Sequence, residues 1–586
     1  MSVPHSEVAS MKSGMSKDDA PSMEDVPIEP SKQSPPEQPA FNPNWRFYVA
    51  FCSLSVITLM AALDATSISV ALSIMAKLLK GSAIEAFWAG TSFLLTCTVF
   101  QPVLGSFSDV FGRKPIIFLS LALFGAGAIV SAVANNFTVI LVGRSIQGIG
   151  GGGIIVLTEI VVTDLVPLRE RGKWFSLISA NWALGTVFGP LLGGGFAEKV
   201  SWRWIFWINL PFIAVGVPLV AFFLTLHFKP TSLLHKLARI DWPGVVVFVA
   251  ATTGLLIPIT WGGVQYAWSS WRTLVPLLVC AAALVGFVVY EDRYAANPLI
   301  QTRVFKNRTA ASTFAQTVLH GLVLWSELYY APLYYEAVKG YSPVLAGVAL
   351  FPQTFTVAPA AMAVGFLIAH TGRYRWALWS GWLLTTLGLG LLVYLDVDTP
   401  ASSWIPLNLV PGVGTGILFP SMGMAVQAAS AARDQAAAVT MFAFLRALGQ
   451  TLGVAIGGVV FQNQIRQRLL RFPLLASSAE SLSRDASGLV EVIKSMDDAD
   501  PAKGQLKEAY VYGLRRVWVV MCALAAVALV ASFFVEGLPL DQALATEQGF
   551  RNEGHEGVGG VEDEEKRGER GGRGETVAPS SAGGRV

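Results

Sequence analysis

The chain has 586 residues, 53% of them hydrophobic and only 14% charged, with a mean hydropathy of +0.53. That leaves too little polar surface to cover a soluble globule of this size and places the chain in lipid. The formal net charge of +2 offers no global field for nucleic acid, and Cys52, Cys97, Cys280 and Cys522 form no CxxC pair and have no companion His cluster, so no disulfide framework, metal site or cofactor is expected.

Residues 1–45 are rich in Pro, Ser and Met, lack a leading apolar stretch, and read as a disordered cytosolic tail without a cleavable signal peptide. Apolar runs of roughly 20 residues, the length that crosses a hydrocarbon layer about 30 Å thick, then recur about fourteen times. Six of them fall in 46–228, two in a linker at 229–308 (243–262 and 272–290), and six in 309–536. The expected fold is an all-α integral membrane protein of two six-helix bundles plus an inserted two-helix hairpin. A long loop at 461–512 is expected outside the cytosol, with amphipathic stretches such as LVEVIKSM suited to a membrane surface. Residues 537–586, a Gly, Glu and Arg mixture, read as a second disordered cytosolic tail.

Basic residues set the orientation. One set of loops carries Arg113 and Lys114; Arg169, Arg171 and Lys173; Lys229, Lys236 and Arg239; Arg303, Lys306 and Arg308; and Arg373 and Arg375. The opposite short loops are poorer, so the richer side and both termini are expected in the cytosol.

The bundles are copies. Gly185, Gly189, Gly193 and Gly194 in LGTVFGPLLGG recur as Gly449, Gly453, Gly457 and Gly458 in LGQTLGVAIGG, 264 residues later. Gly148, Gly150 and Gly152 recur as Gly412, Gly414 and Gly416 at the same offset, and Gly105, Gly112 and Arg113 recur as Gly365, Gly372 and Arg373 at 260. A membrane protein of two homologous halves can open a site between them to either side by rocking one half on the other, which points to a transporter.

The turn GSFSDVFGRKP at 105–115 joins the second and third runs. Gly105 and Gly112 allow a tight turn, and Asp109 with Arg113 and Lys114 can make charge contacts that latch a gate; the plainer reading is a positive-inside turn with a solvated Asp. The second copy keeps the turn but has Ala369 where Asp109 stands.

Together GSFSDVFGRK, LVGRSIQG (141–148), LGTVFGPLLGG (184–194) and LDATSISVAL (63–72) resemble signature motifs of the major facilitator superfamily, specifically its fourteen-span drug:proton antiporter branch and fungal efflux transporters within it. Ser73 stands where such proteins carry Pro. The resemblance implies that Gly189 and Pro190 belong to a motif that goes with export, that Arg144 takes part in proton transfer, and that Asp64 serves both helix packing and coupling.

Charged groups inside apolar runs are expensive, so each is a candidate for function. Arg144 is one, with Gln147 or a backbone carbonyl as its plainer partner. Asp64 lies deep in the first run, and adding the repeat offset of 260 to 264 lands on 324–328, where Glu327 sits in the ninth. Burial favours the protonated carboxyl, so either acid could load and release a proton, Glu327 being the favoured carrier. Glu159 could face the cavity or pair with loop bases, while Asp164 is expected to be wet. Arg446, equivalent to Trp182 at an offset of 264, would bind an acidic or oxygen-rich substrate or neutralise Glu327. His320, Trp325 and Trp182 join Gln147 and Arg446 as candidate cavity residues, whereas Tyr334 and Tyr335 read as an interfacial belt.

These features predict a proton-coupled antiporter that exports hydrophobic small molecules such as drugs, toxins or secondary metabolites by alternating access. It is expected to be a monomer with the lipid bilayer, protons and substrate as partners, in the plasma membrane rather than the vacuolar one. Rival readings are a basic amino acid or siderophore transporter of the same fold and a non-transporting membrane sensor. No GxxxxGK[ST] loop supports ATP-driven pumping, and no nucleophile or metal constellation argues for an enzyme.

Overall fold

The computed structural model describes residues 41–549 apart from 42, 69, 82, 228–231, 264, 485, 543 and 545–547. The expected disorder of 1–40 and 550–586 therefore lies outside the described residues. Among the described residues the long helices are α1 (Trp45–Ser67), α2 (Ala83–Phe111), α3 (Arg113–Ala132), α4 (Phe137–Leu165), α5 (Leu168–Lys199), α6 (Asn209–Phe223), α7 (Trp242–Trp261), α8 (Trp271–Arg293), α9 (Arg308–Leu333), α10 (Phe351–Thr371), α11 (Arg375–Leu392), α12 (Ala401–Ala428), α13 (Gln435–Leu469) and α14 (Pro501–Ser532), with no strand. Among the described residues twelve helices are long and apolar enough to cross a membrane; α9 and α11 fall outside that set.

Local sequence starts and stops these helices. Asn136, Asp241, Asn307 and Asp500 cap α4, α7, α9 and α14, their side chains accepting a backbone N–H that the first turn leaves unpaired. Gly112 (φ 96°) turns the chain from α2 into α3, and Gly372 (φ 66°) ends α10 at the matching position, so both copies of the motif need a backbone that only glycine adopts cheaply.

Packing repeats with the sequence. In the first half α5 packs on α1, and α4 on α2 and α3; in the second α13 packs on α9, and α12 on α10 and α11. The repeated glycines sit in these contacts. A side chain at Gly185 or Gly189 would strike Ala62 or Thr66 on α1, and one at Gly449 or Gly453 would strike the Val318 or Leu322 backbone on α9. Gly152 meets Cys97 on α2 as Gly416 meets Val357 on α10. The halves join along two seams, α5 with α10 and α2 with α13, where Gly365 lies against Ser176 and Gly105 against Thr440, again matched pairs.

Of the two linker helices, α8 packs mainly on α7, while α7 reaches both α2 and α13. Leu256 of α7 is buried against Leu95 and Val99, and the rings of Phe248 and Phe444 lie 5.5 Å apart.

Three expectations change. Tyr334 and Tyr335 are 2% and 1% exposed, not an outer belt, because a π-helical turn (Tyr334–Val338) folds them into the second half. The LVEVIKSM stretch forms Ala486–Ser495, whose Leu489, Val490 and Ile493 are buried in the protein core instead of lying free for a membrane surface. Within 537–542, expected to be disordered, Leu540 is buried, Gln542 donates to the Ala428 carbonyl at 3.1 Å and Asp541 pairs with Arg169.

Candidate functional site

Between the halves lies a cavity of about 110 Å³. It is lined by Phe93, Trp182 and Ile155 from one half and by Trp325, Leu328 and Phe419 from the other, so its wall is mostly apolar and aromatic. Its polar wall groups include Gln101, His320, Gln353 and Arg446. Trp182, His320, Trp325 and Arg446 are thus brought together as the sequence suggested. Gln147 is not among the lining residues.

Gln147 instead belongs to a network inside the first half. Arg144 on α4 donates to Asp64 Oδ2 at 2.5 Å and to Gln147 Oε1 at 2.8 Å, while Gln147 and Asn209 donate to Asp64 Oδ1 at 2.8 and 2.9 Å. Asp64 and Arg144 are each 1% exposed, and the Phe93 ring lies 4.3 Å beneath the guanidinium. Both carboxylate oxygens are occupied and the opposite charge is in contact, which is what a buried charge requires.

Glu327 presents the opposite case. It is fully buried on α9, and neither carboxyl oxygen completes a hydrogen bond; Gln353 of the cavity wall is the side chain that faces it. Glu159, also 1% exposed, accepts from Arg446 Nη2 at 2.6 Å, a pair that crosses from one half to the other. It resolves two open readings. Glu159 pairs with Arg446, not with the loop bases, and Arg446 neutralises Glu159, not Glu327.

On the face holding the 105–115 turn the halves close. Arg113 is 4% exposed and donates to Ser108 (2.7 Å), to Asp109 and to Asp164 (2.9 Å). Asp164, expected to be wet, is 6% exposed because it completes this latch. Lys114 takes no part, donating instead to the Ala221 carbonyl at 2.6 Å. Arg171 donates to Gln427 at 2.7 Å and to Gln435 at 2.6 Å. Arg171 and Gln435 are repeat mates 264 residues apart, and such mates touch only where the pseudo-twofold axis passes. Arg169 adds a bond to the Ala369 carbonyl at 3.0 Å. Gly189 presses on Thr66, and Pro190 lies beside Gly347.

Sequence reasoning missed Asn209, Arg171, Gln427 and Gln435. The repeat offset applied to Arg171 would have found Gln435.

A duplicated all-helical bundle closed around a buried cavity defines a two-half membrane transporter. The sequence matches the Major Facilitator Superfamily over residues 54–454, and the chain belongs to that family. It is 61% identical over 516 residues to "MFS transporter L2" of a Phoma species, covering 88% of this chain and 86% of that one. It is 35% identical over 532 residues to "Efflux pump FUS6" of Gibberella moniliformis (90% and 94% covered) and 36% identical over 515 residues to the "Acurin A biosynthesis cluster MFS-type transporter" of Aspergillus aculeatus (86% and 92%). Among solved structures, the human organic anion transporter MFSD10 (TETRAN) aligns with a TM-score of 0.53 at 15% identity, over 84% of this chain and all of that one, a likeness of fold.

Proposed function

We propose that this transporter is a proton-coupled antiporter that exports hydrophobic small molecules, such as drugs, toxins or secondary metabolites, by alternating access. The observation that carries the reading is Glu327: a fully buried carboxyl group beside a mostly apolar cavity, faced by the neutral amide of Gln353 and, among the described residues, by no cation in ion-pair contact. A bare carboxylate there would be costly, so the group holds a proton in this arrangement and releases it when rocking of the halves admits water or a cation. Asp64 and Arg144 serve as a fixed support for the first half, and Glu159–Arg446 ties the halves beside the cavity. The names of relatives such as "Efflux pump FUS6" support export and a secondary-metabolite substrate.

In this reading α9 and α11 also cross the membrane, making fourteen spans, with α7 and α8 as the inserted pair between bundles 46–228 and 309–536. Both chain ends face the cytosol, the membrane is the plasma membrane, and the transporter acts as a monomer. The face holding the latch is then cytosolic, and the arrangement described is closed on that side. Asp109, Arg113, Gly105, Gly112, Gly189 and Pro190 act in gating.

The test is proton movement in proteoliposomes of the purified protein loaded with a pH-sensitive dye, screened across hydrophobic compounds. Coupled antiport gives a substrate-dependent dye response with one compound class. A flat response from folded protein supports the sensor reading or a uniporter.

A further inference from the structure

The cavity wall carries polar atoms that the protein itself leaves unused. Arg446 Nη1 and Trp325 Nε1 are buried donors without a partner, and Gln101 Oε1 is a buried acceptor without one. His320 Nε2 lies 3.2 Å from the Thr415 carbonyl, which can only accept, so this nitrogen carries the ring proton and the unpartnered Nδ1 is left as an acceptor. A buried polar atom without a partner is unfavourable, and several on one cavity wall are explained by a ligand that completes them. They ask for both hydrogen-bond acceptors and donors on the occupant.

Charge narrows the class. Among the described residues Arg446 is the one charged side chain on the cavity wall, and Glu159 already compensates it at 2.6 Å. Phe419 and Phe442 flank the guanidinium at 4.6 and 5.2 Å, so it cannot swing away without losing those faces. A carboxylate brought to Arg446 would leave a negative charge in excess, and an ammonium would meet a cation whose partner is already taken.

Resting on the efflux reading, we infer that the cavity selects neutral, oxygen-rich, mainly apolar molecules. A carbonyl or ether oxygen accepts from Arg446 Nη1 or the Trp325 N–H, and a hydroxyl donates to Gln101 Oε1 or His320 Nδ1. Glu159 is then a specificity-determining residue: its charge on Arg446 is what turns acids away.

Three fluorescent probes that share one apolar body test this: methyl pyrenebutyrate, pyrenebutyrate and pyrenebutylamine, titrated against the purified full-length transporter. The ester is expected to bind the native protein most tightly. Glu159→Gln leaves Arg446 uncompensated, so the carboxylate is expected to gain about tenfold while the ester changes little. Comparing each probe with itself across variants cancels its partition into detergent. Trp325→Phe keeps the ring, removes only the donor, and is expected to weaken the ester about fivefold even if Glu159→Gln fails to fold. Carboxylate or amine binding as tightly as the ester in the native protein overturns the inference and leaves the efflux reading standing. A flat liposome dye response from folded protein overturns the proton coupling in the efflux reading.

Discussion

Asp64 and Glu327 occupy matched places in the two halves, yet one is satisfied at both oxygens and the other at neither. The repeat explains how. At an offset of 264, Arg144 becomes Asn408, whose amide is engaged by the Tyr335 hydroxyl and the Trp404 carbonyl, and Gln147 becomes Pro411. The second half kept the acid and lost its partners. On the function proposed above, an acid held by an arginine and two amides is a structural member, whereas one with no cation beside it in a dry interior can change protonation as its surroundings change. The two halves thus place an acid in corresponding stretches, and the first surrounds it with Arg144, Gln147 and Asn209.

The largest expected effect breaks the satisfied member. Arg144→Met strands Asp64 as an unpaired buried charge and should destabilise the protein by about 3–5 kcal/mol, read as a fall in thermal unfolding temperature in detergent. Next come the matched glycines: Gly152→Val and Gly416→Val each force α4 from α2 or α12 from α10 and should each lose about 1–3 kcal/mol. A large inequality between the two would show that the halves do not share one packing scheme. Glu327→Gln exchanges a carboxyl for an amide of the same shape and should change stability by less than about 1 kcal/mol. The smallest effect is expected from Asp109→Asn, since Asp109 is half exposed and such pairs contribute about 0–1 kcal/mol. Asp164→Asn, at the buried end of the same arginine, should exceed it in the same melting assay.

Much of this arrangement was legible in the sequence because it is written in glycines at a fixed offset. Those glycines mark the helix pairs that touch, and carrying Asp64 forward by 260 to 264 residues reaches a window, 324–328, that holds Glu327. The Glu159–Arg446 pair was not legible, since its members are not repeat mates and meet only when the halves are assembled. Nor was the burial of Asp164, Tyr334 and Tyr335: hydropathy measures how apolar a segment is, not whether a residue near its end turns toward protein or toward water. The LVEVIKSM stretch was misread for the same reason, because an apolar helical face fits a core as well as a membrane surface.

The most direct test of the central claim is substrate-driven proton movement in proteoliposomes holding Glu327→Gln, measured beside exchange of labelled substrate for unlabelled substrate across the same membrane. The account predicts that proton movement vanishes while substrate exchange persists. Proton movement retained at the native level in Glu327→Gln would contradict it and return the carrier to Glu159 or Asp64.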